Sequence, residues 1–369
     1  MNFSIDKDKL QNLLIEHQKV VPLRTTLPVL GCALLKVENK TLTIKTTDLE
    51  QTIVSTNTIK DEQKGSVCVP MSRFCEIVTA LPNEEIKIKS NEDFLIEINS
   101  NQGTYKITGR DIKEFPETGE ENKKQTLEIL GKDFLNIIDK TGYATSRDDL
   151  KPALSGVYIK IKENTITSVA TDGHRLVKYI QTTKTNIDAA LTIPYKFLKI
   201  IKSNIDSKNN LEIQVDENSL STNQGEFTIT TRIIKESFPD FNSAIPDNNK
   251  IKAEIDVSVL INCLKRVSIF SNRTTKQTLL SFTKDGVVVS AQDPENATSA
   301  KEHIDCLYEG ENLTVSYNAK YLIEALQNSG TNTINIFLST ALTAAILQPK
   351  EKEEKEEITT LLMPLRINA

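Results

Sequence analysis

At 369 residues, with 38% hydrophobic and 26% charged side chains, the chain has room for two or three domains that each bury a core. Its net charge of −5 argues against tight DNA binding by phosphate neutralisation, which usually takes a basic protein. The start Met1-Asn2-Phe3-Ser4-Ile5-Asp6 lacks the basic and apolar regions of a secretory signal, and apolar runs of about five residues fall far short of the roughly 20 that span a membrane, so a cytoplasmic protein with no membrane partner is expected.

Leu10, Leu13, Leu14 and Val20 share one helical face and predict a helix over 6–20, with Ser4 or Asp6 marking its start. Strands Cys32–Val37 and Thr41–Thr46 follow, joined by Glu38-Asn39-Lys40. Pro70 introduces a second helix over 71–81, read from Phe74, Ile77, Val78 and Leu81. Strands Ile86–Lys89, Phe94–Ile98 and Tyr105–Thr108, then Glu114-Phe115-Pro116, close this third.

The order then recurs. Phe134, Ile137 and Ile138 predict a helix over 132–147, with Gly131 as a weaker boundary mark. Strands Gly156–Ile161 and Thr165–Ala170 flank Lys162-Glu163-Asn164, and Phe197, Ile200 and Ile201 predict a helix over 195–208 after Ile193-Pro194. Leu211–Val215, Phe227–Thr231 and Ser237-Phe238-Pro239 end the second round. In the third, Val257, Leu260, Ile261, Leu264 and Val267 predict a helix over 254–273 with a start signal at Asp256. Leu279–Phe282 and Val287–Ser290 form a hairpin around Lys284-Asp285-Gly286, and Ser316-Tyr317-Asn318 caps a helix over 317–327 read from Leu322, Ile323 and Leu326. Lys350–Glu357, all Lys and Glu, reads as a solvated loop before a last strand.

Three repeats of about 123 residues, each with two helices and about eight short strands, predict an α+β protein with both helices of each repeat on one face of antiparallel sheets. The boundaries fall in the polar stretches Gly119–Gln125 and Asp247–Lys250, giving domains 1–125, 126–247 and 248–369. The six predicted helices carry a summed formal charge of +5, leaving −10 elsewhere; a surface shared by the helices would be positive on an acidic body.

Little in the chain reads as catalytic. The five cysteines are scattered without a C-x-x-C pair and read as buried free thiols, and none of the three histidines stands at metal-ligand spacing from a Cys or a second His, so no metal and no cofactor are expected. There is no P-loop, no G-x-G-x-x-G, no G-x-S-x-G and no carboxylate cluster for phosphoryl transfer. The most enzyme-like string is Ala170-Thr171-Asp172-Gly173-His174-Arg175-Leu176. Its Asp and His could form half of a hydrolase triad, or Asp172-Gly173 could make a tight turn with His174 and Arg175 bonding locally. The tail Leu361-Leu362-Met363-Pro364-Leu365-Arg366 is a last core strand that also has the composition of an adaptable binding groove.

Val169–Leu176 resembles a signature of the bacterial beta sliding clamps. So do Thr26-Leu27-Pro28-Val29-Leu30-Gly31, Thr47-Asp48-Leu49-Glu50, Phe238-Pro239-Asp240-Phe241 and Leu362-Met363-Pro364-Leu365-Arg366, in order along the whole chain. The resemblance implies three clamp domains per chain and a head-to-tail homodimeric ring of six domains, its hole lined by twelve helices. Such a ring is a non-catalytic processivity factor that encircles duplex DNA without reading its sequence. It is placed there by an ATP-driven clamp loader and tethers the replicative DNA polymerase and repair proteins. A ring held by topology needs only a mildly positive lining, which reconciles the function with the acidic total.

Position by position, the resemblance implies a pocket for short motifs ending in Leu and Phe. Its members would be Leu154, Thr171, Gly173, His174, Arg175, Leu176 and Pro239, with Asn318, Tyr321, Leu361, Leu362, Met363, Pro364, Leu365 and Arg366. It also implies DNA contact at Arg24 and in the loop Ser146–Lys151, through Arg147 and Lys151. Lys196, Lys199 and Lys202 join them by their spacing. Tyr105 and Ile107 would meet Ile269 and Phe270 across the subunit interface. Two departures bear on the pocket: Asn242, Ser243 and Ala244 stand where relatives often carry a basic residue, and Ile367-Asn368-Ala369 extend past the usual end and could shade the groove.

Overall fold

In α1 (Lys7–Gln18) the apolar face predicted from Leu10, Leu13 and Leu14 is buried, and Asp6 caps the helix by accepting from Lys9 N at 3.0 Å. α2 (Met71–Ala80) follows Pro70 directly and buries Met71, Phe74 and Val78. α3 (Gly131–Thr141), α4 (Tyr195–Lys202), α5 (Val257–Val267) and α6 (Ala319–Gln327) complete the α-helices among the described residues. Asp256 caps α5 at Val259 N (2.9 Å), and Asn318 caps α6 at Lys320 N (3.0 Å). Gly131 marks a real boundary for a steric reason: a Cβ there would lie 2.0 Å from the Asp206 carbonyl oxygen.

Several helices are shorter than their sequence patterns. α3 gives way after Thr141 to a 3-10 turn, Gly142–Ala144, where glycine lowers helix propensity. Past α4, Asp206 accepts from Lys208 N (2.8 Å) and Asn209 Nδ2 (2.7 Å), a local turn that competes with helix. α5 begins only at Val257, because Ile251–Asp256 alternates with period two and is a strand. The last strand, Glu356–Leu362, begins inside the Lys/Glu run that reads as a loop. Although shorter, the observed helices still sum to +5, with +3 on α4 and +2 on α5.

The structure, a computed structural model, describes residues 1–117, 125–148, 150–185, 187–351 and 354–367. Most of the expected boundary 119–125 lies outside these, as do Asp149, Lys352, Glu353, Asn368 and Ala369. The described residues contain 26 strands, nine before residue 125, eight in the middle of the chain and nine after residue 250, and every register described is antiparallel.

The chain folds as two compact units. One comprises the described residues of 1–128, 200–205 and 211–233. It holds a five-stranded sheet ending at the edge strand Gly103–Thr108 and an eight-stranded sheet in which Phe227–Arg232 pairs with Gln51–Thr58. Leu10 and Leu14 of α1 and Phe74 of α2 share a core with Phe3 and Ile88 of the smaller sheet and Leu35 of the larger. His17 is sealed beside it, with Nδ1 2.9 Å from Thr46 Oγ1 and Nε2 2.8 Å from Ser55 Oγ, and burial pushes its pKa down to about 3, so the ring is neutral.

The other unit comprises the described residues of 129–199, 206–210 and 234–369. In its nine-stranded sheet Arg175–Thr182 pairs with Thr165–Thr171 on one side and Glu356–Leu362 on the other. A four-stranded sheet ends at the edge strand Thr298–Ile304. Leu260 and Leu264 of α5 and Leu322 of α6 share a core with Phe282 and Ile336 from the two sheets. The five cysteines are free thiols: Cys32, Cys68 and Cys263 are buried, Cys75 and Cys306 half-buried. Burial pushes Cys68 and Cys263 up to about 12 and Cys75 up to about 11, which makes them poor nucleophiles.

Candidate functional site

The string Thr171–Arg175 is a tight turn between two strands of the nine-stranded sheet. Asp172 Oδ1 accepts from His174 N (2.9 Å) and Arg175 N (3.1 Å), while Thr171 Oγ1 donates to Arg175 O (2.6 Å) and accepts from Gly173 N (3.1 Å). Gly173 sits at φ +89°, where a side chain would be strained. Asp172 Oδ2 accepts from Arg175 Nε at 3.1 Å, so the carboxylate serves the turn and the guanidinium and forms no pair with the exposed His174 ring. That geometry removes the hydrolase reading. No group of His, Cys, Asp or Glu suited to a metal occurs among the described residues.

Arg175 is buried and fully engaged. Besides Asp172 it donates Nη1 to Glu324 and Nη2 to Tyr143 O (2.6 Å), and its guanidinium lies 4.5 Å from the Tyr321 ring centroid and 5.2 Å from that of Tyr143. The His174 ring stacks on Tyr321 at 6.2 Å. Burial, with Asp172 nearby, raises the Tyr321 pKa and keeps the phenol neutral. Asn318 serves as the cap of α6 and anchors it by donating Nδ2 to Thr275 O (3.0 Å).

Strand register brings an apolar row together beside this turn: Thr171 faces Leu176, Leu176 faces Leu361, and Leu361 faces Ile346. Val169, Leu176, Ala344 and Leu361 pack with Tyr158, Phe238, Phe241 and Ile245. Tyr158 stacks on Phe238 at 5.2 Å, and Lys178 Nζ lies 5.7 Å from the Phe241 centroid and 3.3 Å from Asn242 Oδ1. The C-terminal segment is tied down by Met363 N to His174 O (2.9 Å), Leu365 N to Ser316 O (2.7 Å) and Gln277 Nε2 to Arg366 O (3.1 Å). Met363 remains 44% exposed, enough to be touched by a ligand. Leu154, Pro364 and Leu365 are half-buried, while Pro239, Arg366 and Ile367 are exposed. Leu362 points the other way and is sealed in the core of α5 and α6.

The structure therefore brings the Thr171–Leu176 turn, Tyr321, Leu361 and Met363–Arg366 into one neighbourhood. It adds residues the sequence reading left out: Tyr158, Lys178 and Ile346 from strands, Phe238, Phe241, Ile245 and Ala344 by packing from loops, and Tyr143 and Glu324 through Arg175. Phe238 and Phe241 had a visible signal in the Phe-Pro-Asp-Phe string. Glu324 had none, since it lies 149 residues from Arg175 along the chain.

The remaining candidates stand apart. On α4, Lys196, Lys199 and Lys202 are exposed on the face opposite Phe197, Leu198 and Ile201, which are buried. Arg24, Arg147 and Lys151 are exposed in loops, each next to or near an outward leucine, Leu23 or Leu150. Tyr105 is partly exposed on its edge strand, whereas Ile107 packs into the core of its own unit. Ile269 and Phe270 project from a 3-10 turn at 76% and 37% exposure, an apolar pair left uncovered in one chain. No helix among the described residues is long and apolar enough to cross a membrane.

Comparison with known proteins places these features. Family models of the DNA polymerase III beta subunit match in order: the N-terminal domain at 1–119, the central domain at 128–240 and the C-terminal domain at 242–366. The chain is 27% identical over 378 residues to a beta sliding clamp of Staphylococcus aureus, covering 99% of both, and 27% identical over 377 residues to that of Staphylococcus epidermidis, again covering 99% of both. Among solved structures it resembles the DNA polymerase III beta subunit of Pseudomonas aeruginosa (26% identity, TM-score 0.88) and the sliding clamp of Bartonella birtlesii (23%, TM-score 0.91), each over 100% of both chains. Three successive family matches spanning almost the whole chain have one meaning: the chain belongs to the bacterial DNA polymerase III beta subunit family, the beta sliding clamps, and is a non-catalytic processivity factor of DNA replication.

Proposed function

We propose that two copies of this chain close head to tail into a ring around duplex DNA, with domains 1–125, 126–247 and 248–369 in each copy, and that the ring works in the cytoplasm. The two sheet edges Gly103–Thr108 and Thr298–Ile304 offer unpaired backbone, and Tyr105, Ile269 and Phe270 offer apolar surface beside a second copy. The net +3 of α4, with its lysines outward, supports a lining that attracts phosphates without fixing them, and Arg24, Arg147 and Lys151 would touch the backbone from loops.

The groove over Leu176 and Leu361, rimmed by His174, Tyr321 and Met363, would hold short linear motifs of the clamp loader, the replicative polymerase and repair proteins, an apolar anchor buried within a polar rim. The observation that carries this reading is the junction itself. A fully bonded turn and a tethered C-terminal segment hold the apolar row in place, while Met363 stays accessible. Two measurements test it. Size-exclusion chromatography with light scattering should give about twice the 41.3 kDa chain mass. A fluorescein-labelled peptide ending in Leu-Phe should bind wild type and lose at least tenfold in affinity to Met363→Glu; equal binding by the variant would move the partner site elsewhere.

A further inference from the structure

A guanidinium carries five N–H donors, and Arg175 commits all three of its nitrogens within the protein: Nε to Asp172 Oδ2 (3.1 Å), Nη2 to Tyr143 O (2.6 Å) and Nη1 to Glu324. Its side chain is 6% exposed, and the charge is balanced from two sides, by Asp172 within its own turn and by Glu324 on α6. Glu324 stands one helical turn beyond Tyr321, whose ring the same guanidinium faces at 4.5 Å.

We infer that Glu324 is a positioning residue of the groove: it fixes Arg175 from the α6 side and so sets Tyr321 and the Asp172 turn in register with each other. The proposal rests on the groove reading. The chain of contacts runs outward from the ion pair to the rim. Arg175 orders the turn that carries His174, the His174 ring lies on Tyr321 at 6.2 Å, and the His174 carbonyl holds Met363 N at 2.9 Å. Without Glu324, Nη1 loses its acceptor and α6 loses its charged link to the turn. Lys320, 4.0 Å from the other Glu324 oxygen and more than half exposed, offers no substitute for that link.

The test uses the full-length chain and the same labelled peptide, with binding read by anisotropy at a temperature where circular dichroism finds every variant folded. Glu324→Ala should weaken the peptide at least tenfold. Glu324→Gln, which keeps an oxygen to accept from Nη1, should stay within about threefold of wild type; this rescue is what a bulk stability role would not produce. Should Glu324→Ala fold poorly, Glu324→Met keeps the side-chain volume and leaves Arg175 its bonds to Asp172 and Tyr143 O; it should melt above Glu324→Ala and still bind the peptide at least tenfold more weakly than wild type. Wild-type affinity in Glu324→Ala or in Glu324→Met overturns the proposal and leaves the groove standing, provided Met363→Glu still loses binding. If Met363→Glu binds as wild type does, the groove reading fails, and this proposal with it.

Discussion

The same turn is built twice in this chain, at Thr47–Gln51 and at Thr171–Arg175. In both, the threonine Oγ1 donates to the carbonyl four residues on, at 2.8 Å from Thr47 and 2.6 Å from Thr171, and accepts from an N–H two residues on at 3.1 Å. Asp48 Oδ1 holds Glu50 N and Gln51 N as Asp172 Oδ1 holds His174 N and Arg175 N. Even the next tie recurs: Arg232 N bonds Glu50 O, and Met363 N bonds His174 O, each at 2.9 Å. The side chains then diverge. Where Arg175 reaches Asp172, Glu324 and Tyr143, Gln51 is buried with neither amide atom partnered among the described residues. Where Leu176 faces Leu361, Thr52 faces Thr230. Repetition fixes the backbone, and a few different side chains on it set the proposed partner groove apart from the first turn.

The comparison breaks most visibly at its central pair. Arg175→Ala leaves Glu324, Asp172 and a backbone carbonyl facing a void and should cost about 3–5 kcal/mol in denaturant unfolding, whereas Gln51→Met should be neutral or stabilising by up to about 1 kcal/mol, since its amide is unsatisfied. A Gln51→Met variant that unfolds as early as Arg175→Ala would show that the two turns matter equally. Next in size is the apolar row: Leu361→Thr, which copies the first turn's chemistry into the second, should weaken the labelled peptide by ten- to a hundredfold, about 1.4–2.7 kcal/mol.

Acid separates the two units through His17. Its folded pKa of about 3 lies below the unfolded value near 6.5, so the unfolded chain binds the proton more readily. The stability from His17 is complete above about pH 6.5, falls as pH drops, and is gone near pH 3; by pH 5 the loss is about 2 kcal/mol. Hydrogen exchange at pH 7 and pH 5 should therefore show the His17 unit losing protection, and His17→Gln should flatten that dependence. The smallest effect concerns the turn backbones. Leu49, at φ +79°, is strained where Gly173 is not, so Leu49→Gly should be mildly stabilising and Gly173→Ala should cost about 1 kcal/mol in the same unfolding experiment.

Local chemistry explains what was legible in advance. Apolar periodicity located all six helices, since Leu10 or Phe134 announces its buried face within four residues, and Asp6, Asp256 and Asn318 act as caps because capping is decided within three residues. The turn at Asp172-Gly173 was legible for the same reason. Helix ends such as those after Thr141 and Lys202 were not, because glycine and Asx turns stop a helix whose apolar pattern runs on. Strands such as Gln51–Thr58, with Gln51, Ser55 and Asn57 buried among polar neighbours, give no hydrophobic alternation to read. The groove was half legible. Turn and tail appear as strings, but Leu176 against Leu361, and Arg175 against Glu324, are meetings of distant segments that only folding makes.

The most direct test of the account is retention on DNA closed into a circle. The chain, with a cognate loader and ATP, is loaded onto nicked circular duplex, washed, and counted before and after a single restriction cut. A ring held by topology should stay on the circle and run off once the ends are free. Equal retention on circle and linear DNA would mean that the protein holds DNA by contact, and encirclement would be contradicted.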